Sequence, residues 1–224
     1  PVLMKKRKID WLNHSLEFLV VLIGILIAFQ LNKYGDSKNQ DRLIDNHLAQ
    51  IGLECEENRE KISQAIAQIN SQISTCDDLL GEISSTKNPL TIRNYAIQLL
   101  DLRGVDINET AFEVLVQSGD IRFLKDYEAK SKIIALYGGF EKIERIDQSN
   151  QNLYDQHYYP YLKTNFDLVN WQQVSTPTQA EAKAYAALEF ANTVSTYRYL
   201  LAAKQRIYQQ QLEVLDAYLQ ATSD

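Results

Sequence analysis

The sequence contains few of the residues that interrupt helices, with 8 glycines and 4 prolines in 224 residues. Apart from Pro1, the prolines are Pro89, Pro160 and Pro177, so long stretches of the chain hold no residue that ends a helix. No segment shows the alternation of apolar and polar residues that marks a half-buried strand. The sequence therefore predicts an all-α protein with long helices.

Histidine is also scarce, and its spacing argues against a metal site. The three histidines, His14, His47 and His157, are isolated, and no two of them share a helical face with acids at metal-ligand spacing. Neither a glycine-rich phosphate loop nor a Ser or Cys nucleophile motif is present. We therefore expect no metal, no cofactor and no catalytic activity.

The two cysteines, Cys55 and Cys76, are predicted to lie on one helix, about 30 Å apart, so they cannot pair with each other. Both fall on the apolar side of that helix. They are either buried free thiols or, in an oxidising compartment, a bridge between identical chains.

Basic residues cluster only near the N-terminus, in Lys5–Lys8. Residues 1–34 carry a formal charge of +3 and the remainder −9, within an overall charge of −6. Phosphate contacts need clustered Lys and Arg, so the acidic main part of the chain is not expected to bind nucleic acid.

The sequence does contain one long apolar run, Phe18–Phe29. Trp11 and Tyr34 flank it at a separation of about 34 Å along a helix, which suits aromatic anchors at the two interfaces of a bilayer. The ten Leu, Ile, Val and Phe residues of the run contribute about −3 to −6 kcal/mol to insertion. Insertion of this helix into the lipid bilayer is therefore expected.

The boundaries of the run predict an anchor that is retained. The residues at its end, Ala28-Phe29-Gln30 and then Leu-Asn-Lys, do not form a signal peptidase site. The chain thus divides into a basic cytoplasmic tail (1–10), a transmembrane anchor (11–34) and an exported domain (35–224). Because the basic patch precedes the span, we expect a bacterial inner-membrane protein whose residues after about 35 are periplasmic.

One face of the anchor helix is suited to contact another membrane helix. Gly24 and Ala28 form a small-xxx-small pair, and Glu17, Val21 and Leu31 share their face. Three roles remain open for the Glu17 carboxylate. It reaches the headgroups or pairs with His14, it meets a polar group of a partner subunit, or it carries protons in an energy-transducing complex.

After the anchor, the pattern predicts helices joined in an elongated antiparallel bundle. Residues 36–85 have no proline and show heptad spacing with one stutter, so one helix of about 50 residues is expected to continue the membrane helix. It fits either a coiled coil between chains or one strut of an intramolecular bundle. Further helices are predicted from Asn88-Pro89 to about 102, from Asp106 or Asn108 to Gly119, from Asp126 to about 159, and from a Thr176-Pro177 cap to about 221.

A tyrosine-rich segment surrounds Pro160 and contains Tyr154, Tyr158, Tyr159 and Tyr161. Tyrosine clusters can form a partner surface. The alternative is a helix end whose rings pack on the bundle.

Two stretches resemble a family of uncharacterised single-pass membrane proteins of Bacteroidota and some Gammaproteobacteria, known as a domain of unknown function. The first is "EFLVVLIGILIAFQLNKY", with Glu17 and Gly24–Ala28. The second is "ETAFEVLVQSGDIRFLKDYEAKSKIIALYGGFEKI", with Leu115, Ser118–Asp120 and Tyr137. The family motif usually ends in Trp, where this chain has Tyr34. The resemblance implies a single-span topology and no known activity.

Together these features predict an accessory, scaffold or assembly subunit of an inner-membrane complex. Its partners would be the bilayer and a membrane protein or a second copy, bound through the anchor face and the long helices. Two other functions remain open: a periplasmic ligand sensor that acts through a signalling partner, and a subunit of a proton-driven machine that uses Glu17.

Overall fold

The computed structural model describes residues 11–85, 88–101, 104–169 and 177–222, and these residues contain helices and no strand. The predicted basic tail, 1–10, lies outside them, and of Leu12 and Asn13 only the backbone is described. The helices are α1 (Trp11–Ser84), α2 (Pro89–Gln98), α3 (Thr110–Gln117), α4 (Tyr127–Leu153), α5 (Tyr159–Asn165), α6 (Gln179–Tyr185) and α7 (Leu188–Thr222). A 3₁₀ turn covers Asp120–Phe123 and a π-helical turn covers Tyr154–Tyr158.

The predicted continuation of the anchor helix into the next long helix is confirmed. α1 is one helix of 74 residues that passes through Gly35 without a break. Its C-terminal half carries a buried seam in one continuous heptad register. The stutter predicted around Ile62 is wrong, because Ile66 and Ile73, which created it, are only half-buried. The seam residues are Ile44, Ile51, Cys55, Asn58, Ile62, Ile69, Cys76, Leu79 and Ile83.

α7 packs along this seam, so the apolar heptad positions of α1 contact another helix of the same chain. Three side-chain pairs mark the contact: Arg59 with Asp216, Asn70 with Gln205, and Asp77 with Arg198. In these pairs the residue numbers on α7 decrease as the residue numbers on α1 increase. These exposed pairs each contribute little to stability, so the apolar seam is the main source of it.

The α2 and α4 start signals act as the sequence predicts. Asn88 Oδ1 accepts a hydrogen bond from the Leu90 N–H at 3.1 Å, and Asp126 caps α4 in the same way. Gly119 ends the α3 segment with a φ of 76°, a conformation that favours glycine. α2 stops at Gln98, earlier than predicted, and 102–103 lie outside the described residues.

Polar contacts hold the 3₁₀ turn and the start of α4 against α1. Lys125 Nζ lies 2.6 Å from Asp41 Oδ1, and His47 Nε2 lies 3.2 Å from Asp120 Oδ2. Side-chain hydrogen bonds from Ser118 and then His47 lower the pKa of Asp120.

The sequence predicts a helix that ends at about 159, where Pro160 interrupts it, and this prediction is wrong. α4 passes through the π-helical turn directly into α5, and Pro160 lies in the first turn of α5. A proline ring clashes with the carbonyl four residues earlier in a regular helix. Here the Tyr159 N–H donates to the Tyr154 carbonyl five residues back, and this wider turn accommodates the ring.

The last predicted helix is divided, and its cap lies two residues later. Thr178 caps α6, because Glu181 reaches back to the Thr178 N–H at 2.7 Å and completes a capping box. Thr176, the predicted cap, lies outside the described residues. The helix ends at Tyr185, whose buried ring stacks on Phe166 at a centroid distance of 4.1 Å. α7 then begins separately at Leu188.

Candidate functional site

Every described side chain of the predicted anchor is exposed on the surface of the structure. In the described residues, one helix is long and apolar enough to cross a bilayer, and its most apolar 18-residue window has a mean hydropathy of 2.0 with none of it buried. Trp11 and Tyr34 at its ends are 79% and 69% exposed. An N-terminal signal sequence has the same length and composition, so the helix fits a membrane anchor without proving one.

The predicted contact face of the anchor consists of Glu17, Val21, Gly24, Ala28 and Leu31. All five residues are exposed, and a Cβ atom on Gly24 would meet nothing within 4 Å. No other described part of the chain covers this face. His14 Nδ1 lies 3.4 Å from Glu17 Oε2, which is the local pairing that the sequence allows.

The tyrosine-rich segment contributes mainly to the core. Tyr158 is fully buried and donates to the Ala96 carbonyl at 2.7 Å, and Tyr161 donates to the Ala184 carbonyl at 2.8 Å. Tyr154 is half-buried, and Tyr159 keeps 41% of its surface exposed. The segment thus packs its rings on the bundle, and Tyr158 is not accessible to a partner in this structure.

Both cysteines are free and fully buried in the seam of α1. Burial is the largest cause that raises the pKa of each thiol to about 12, with a smaller contribution from Glu54 or Asp77 beside it. A bridge between two chains through Cys55 or Cys76 would require this packing to open.

A polar cavity is the most site-like feature of the folded domain. It has a volume of about 450 Å³ and lies between the segment that precedes α3, the middle of α4, and α7. The preceding segment contributes Gly104 and Glu109, α4 contributes Glu144 and Asp147, and α7 contributes Lys204. Its volume is typical of small-molecule sites.

A buried ion pair forms one wall of the cavity. Lys204 is 4% exposed, and its Nζ lies 2.9 Å from Asp147 Oδ1. Tyr208 donates to both oxygens of the same carboxylate, at 2.9 and 2.8 Å. Burial and this carboxylate raise the pKa of the Tyr208 phenol, so its hydroxyl stays a donor.

Two side chains of α1 hold the segment before α3 in place. Asn58 donates to the Asn108 carbonyl at 2.7 Å and accepts from the Asn108 N–H at 2.8 Å. The buried carboxylate of Glu54 accepts from the Ala111 N–H at 2.7 Å and from the Tyr137 hydroxyl. The backbone that carries Glu109 is therefore fixed against α1 on both sides, by Asn58 at Asn108 and by Glu54 at Ala111 in the first turn of α3.

The remaining acids make the cavity electronegative. Burial is the largest cause that raises the pKa of Glu109, and the carboxylates of Glu113, Glu144, Glu54 and Glu141 add to it in that order. Among the described residues, every charged neighbour that shifts the pKa of Glu109 is thus an acid.

Asn150 also lines the cavity and is 1% exposed. Its Nδ2 donates to the Ile146 carbonyl at 2.9 Å, whereas its Oδ1 has no hydrogen-bond partner among the described residues. A buried acceptor without a partner is uncommon in native structures and calls for an explanation.

No sequence motif points to this cavity, because its residues come from three separate segments. One signal was available: Lys204 lies between Leu201 and Tyr208 on the apolar face of α7, where a lysine needs a buried partner. Within the described ranges, no group of three or more His, Cys, Asp or Glu is arranged to hold a metal ion.

Comparison of the chain with protein-family models, with curated proteins and with solved structures found no match.

Proposed function

We propose that this protein is a membrane-anchored accessory, scaffold or assembly subunit of a bacterial inner-membrane complex. The observation that carries the proposal is the continuity of α1. The same helix presents an apolar segment with no buried residue and then forms the core seam of the folded domain. A side-chain surface this apolar is not stable in water and needs lipid or another helix around it.

In this proposal, residues 11–34 span the membrane and residues 35–224 form an elongated antiparallel bundle in the periplasm. The reversed order of the α1–α7 side-chain pairs supports the antiparallel arrangement. Partner contacts are made by the anchor face and by the surface of the long helices. The resemblance to single-pass membrane proteins supports the topology.

Co-purification from native membranes tests the proposal. After gentle detergent extraction, we expect a partner chain, or a second copy, to be recovered in a fixed ratio with this protein. Gly24→Leu should abolish the association because it fills the groove on the contact face. Leu26→Phe adds volume on the opposite face and serves as the matched control.

The outcome that would contradict the proposal is a monomer with no stoichiometric partner in native extracts. If Gly24→Leu and Leu26→Phe lost the partner equally, the anchor face would be excluded as the specific contact surface. Topology is tested separately, because a protease added outside the inner membrane should cut the chain only after about residue 35.

A ligand sensor that acts through a signalling partner is the second candidate, and the polar cavity favours it. A fixed backbone, a buried ion pair and an acceptor without a partner are features of a binding site. A separate signalling protein would then have to carry the response to ligand binding across the membrane.

The role of Glu17 in a proton-driven machine has its own test. Glu17→Gln removes the proton carrier and keeps the size of the side chain. Unchanged activity of the complex in this variant would exclude that role, whereas the headgroup or His14 pairing predicts only a small effect on assembly.

A further inference from the structure

The cavity between α4 and α7 has two chemically distinct parts. Its opening carries acids, of which Glu144 is exposed and Glu109 half-buried, and its inner wall carries Phe140 and Ile143, each 1% exposed. A ligand that fits both parts has a polar or charged end and an apolar body.

The sign of the charge that the cavity would attract in a ligand follows from the ion pair that Lys204 makes. Lys204 Nζ is bound to Asp147, so the one cation among the described residues that line the cavity is neutralised by one of its acids. Asp106, Glu109 and Glu144 then leave the cavity with a negative charge. An anionic ligand would be repelled, and an organic cation would be attracted.

The acceptor of Asn150 provides a second, independent indication. Asn150 lines the cavity, and its Oδ1 is buried and has no hydrogen-bond partner in the described part of the chain. A ligand with N–H donors would supply that partner, because an ammonium group has three donors and no acceptor.

We propose that this cavity binds a small organic cation, a primary amine or diamine. The ammonium group contacts Glu109 and Glu144 and donates to Asn150, and the methylene chain packs on Phe140 and Ile143. A volume of about 450 Å³ is far larger than a metal ion needs, and no metal-ligand group was found in the described residues. The proposal goes beyond the accessory role and does not depend on it.

The site is pre-organised on the side of Glu109. Asn58 holds both polar groups of the Asn108 backbone, and Glu54 holds the N–H of Ala111. Little ordering of the chain is then required on binding, which favours affinity.

Isothermal titration calorimetry of the full chain in detergent micelles tests the proposal, with 1,4-diaminobutane and butylamine as probes. We expect saturable binding of the amines and none of 1,4-butanediol, which has the same chain without charge. Glu109→Gln combined with Glu144→Gln should weaken amine binding at least about tenfold, because charged hydrogen bonds are lost. Asn150→Leu removes the acceptor at similar volume and should weaken binding by a smaller factor.

Glu213→Gln is the matched control, because Glu213 is an exposed carboxylate on α7 that does not line the cavity. It should leave binding unchanged, and a circular dichroism melt of each variant verifies folding. Amine binding that persists in the folded double variant would overturn the proposal, and so would equal binding of the diol. Binding of Mg²⁺ without binding of amines would identify a metal site instead and would also overturn it.

Discussion

The two adjacent glycines of α4 give a sharp test of the packing between α4 and α7. A Cβ atom added to Gly139 would lie 1.7 Å from Gln211 Oε1 and 2.5 Å from its Cδ. Gln211 is 4% exposed, and its Nε2 donates to the Leu136 carbonyl at 2.8 Å. A Cβ atom on Gly138 would meet nothing within 4 Å. We therefore expect opposite effects from Gly139→Ala and Gly138→Ala.

The magnitudes follow from the contacts. Alanine in place of glycine inside a helix stabilises the folded state by about 0.5–1 kcal/mol, and Gly138→Ala should show this gain. In Gly139→Ala the Gln211 amide must leave its place, and a buried amide without its hydrogen bond costs about 1–3 kcal/mol. Both variants share the helix gain, so they differ by the cost of the displaced amide, about 1–3 kcal/mol, and Gly139→Ala alone should be destabilised by up to about 2.5 kcal/mol.

Thermal unfolding followed by far-UV circular dichroism measures the difference. At about 2–4 °C per kcal/mol for a chain of this size, the melting temperatures should differ by about 2–12 °C. Gln211→Ala should remove the clash, so its effect combined with Gly139→Ala should be far from additive. Equal stability of Gly139→Ala and Gly138→Ala would refute the close approach of Gln211 to α4.

Three further outcomes can be measured. Burial raises the pKa values of Cys55 and Cys76 to about 12, so neither thiol should react with iodoacetamide in the native protein. Both should react in denaturant, and fast labelling of the native protein would contradict their burial. Asp147→Ala should lower the free energy of unfolding by about 3–5 kcal/mol because it leaves Lys204 buried without its carboxylate, and adding Lys204→Met should restore part of that loss in urea titrations. The pKa of Asp120 is lower in the folded than in the unfolded protein, so its ionised carboxylate stabilises the fold above the unfolded pKa, and this effect is lost as the pH falls through the folded pKa. The urea midpoints of Asp120→Asn and the parent protein should therefore differ at neutral pH and converge in acid.

Local chemistry made much of the fold predictable. Caps such as Asn88 and Asp126 depend on residues a few positions away, and the structure has both where they were expected. The continuity of α1 was also predictable, because no breaker occurs along it and its heptad pattern runs through Asn58. These features need no knowledge of distant contacts.

The features that sequence reasoning missed depend on competition or on distant contacts. The sequence pattern predicts Thr176 as the cap and does not single out Thr178, whose reciprocal hydrogen bonds with Glu181 start α6. The π-helical turn before Pro160 holds one residue more than an α-helical turn and so accommodates the proline ring. The general expectation that proline ends a helix does not anticipate such a turn. Asp147 and Lys204 are 57 positions apart, so the cavity they line depends on how α4 and α7 pack.

The unbroken α1 turns a small motion into a large one. About 50 residues of the helix follow Tyr34, which corresponds to about 75 Å of length. With residues 11–34 held in a bilayer, a change of tilt of about 10° would displace Ser84 by about 13 Å. The helix would then act as a lever arm, so the angle that the anchor takes in the membrane sets the distance at which the far end of the domain meets a partner.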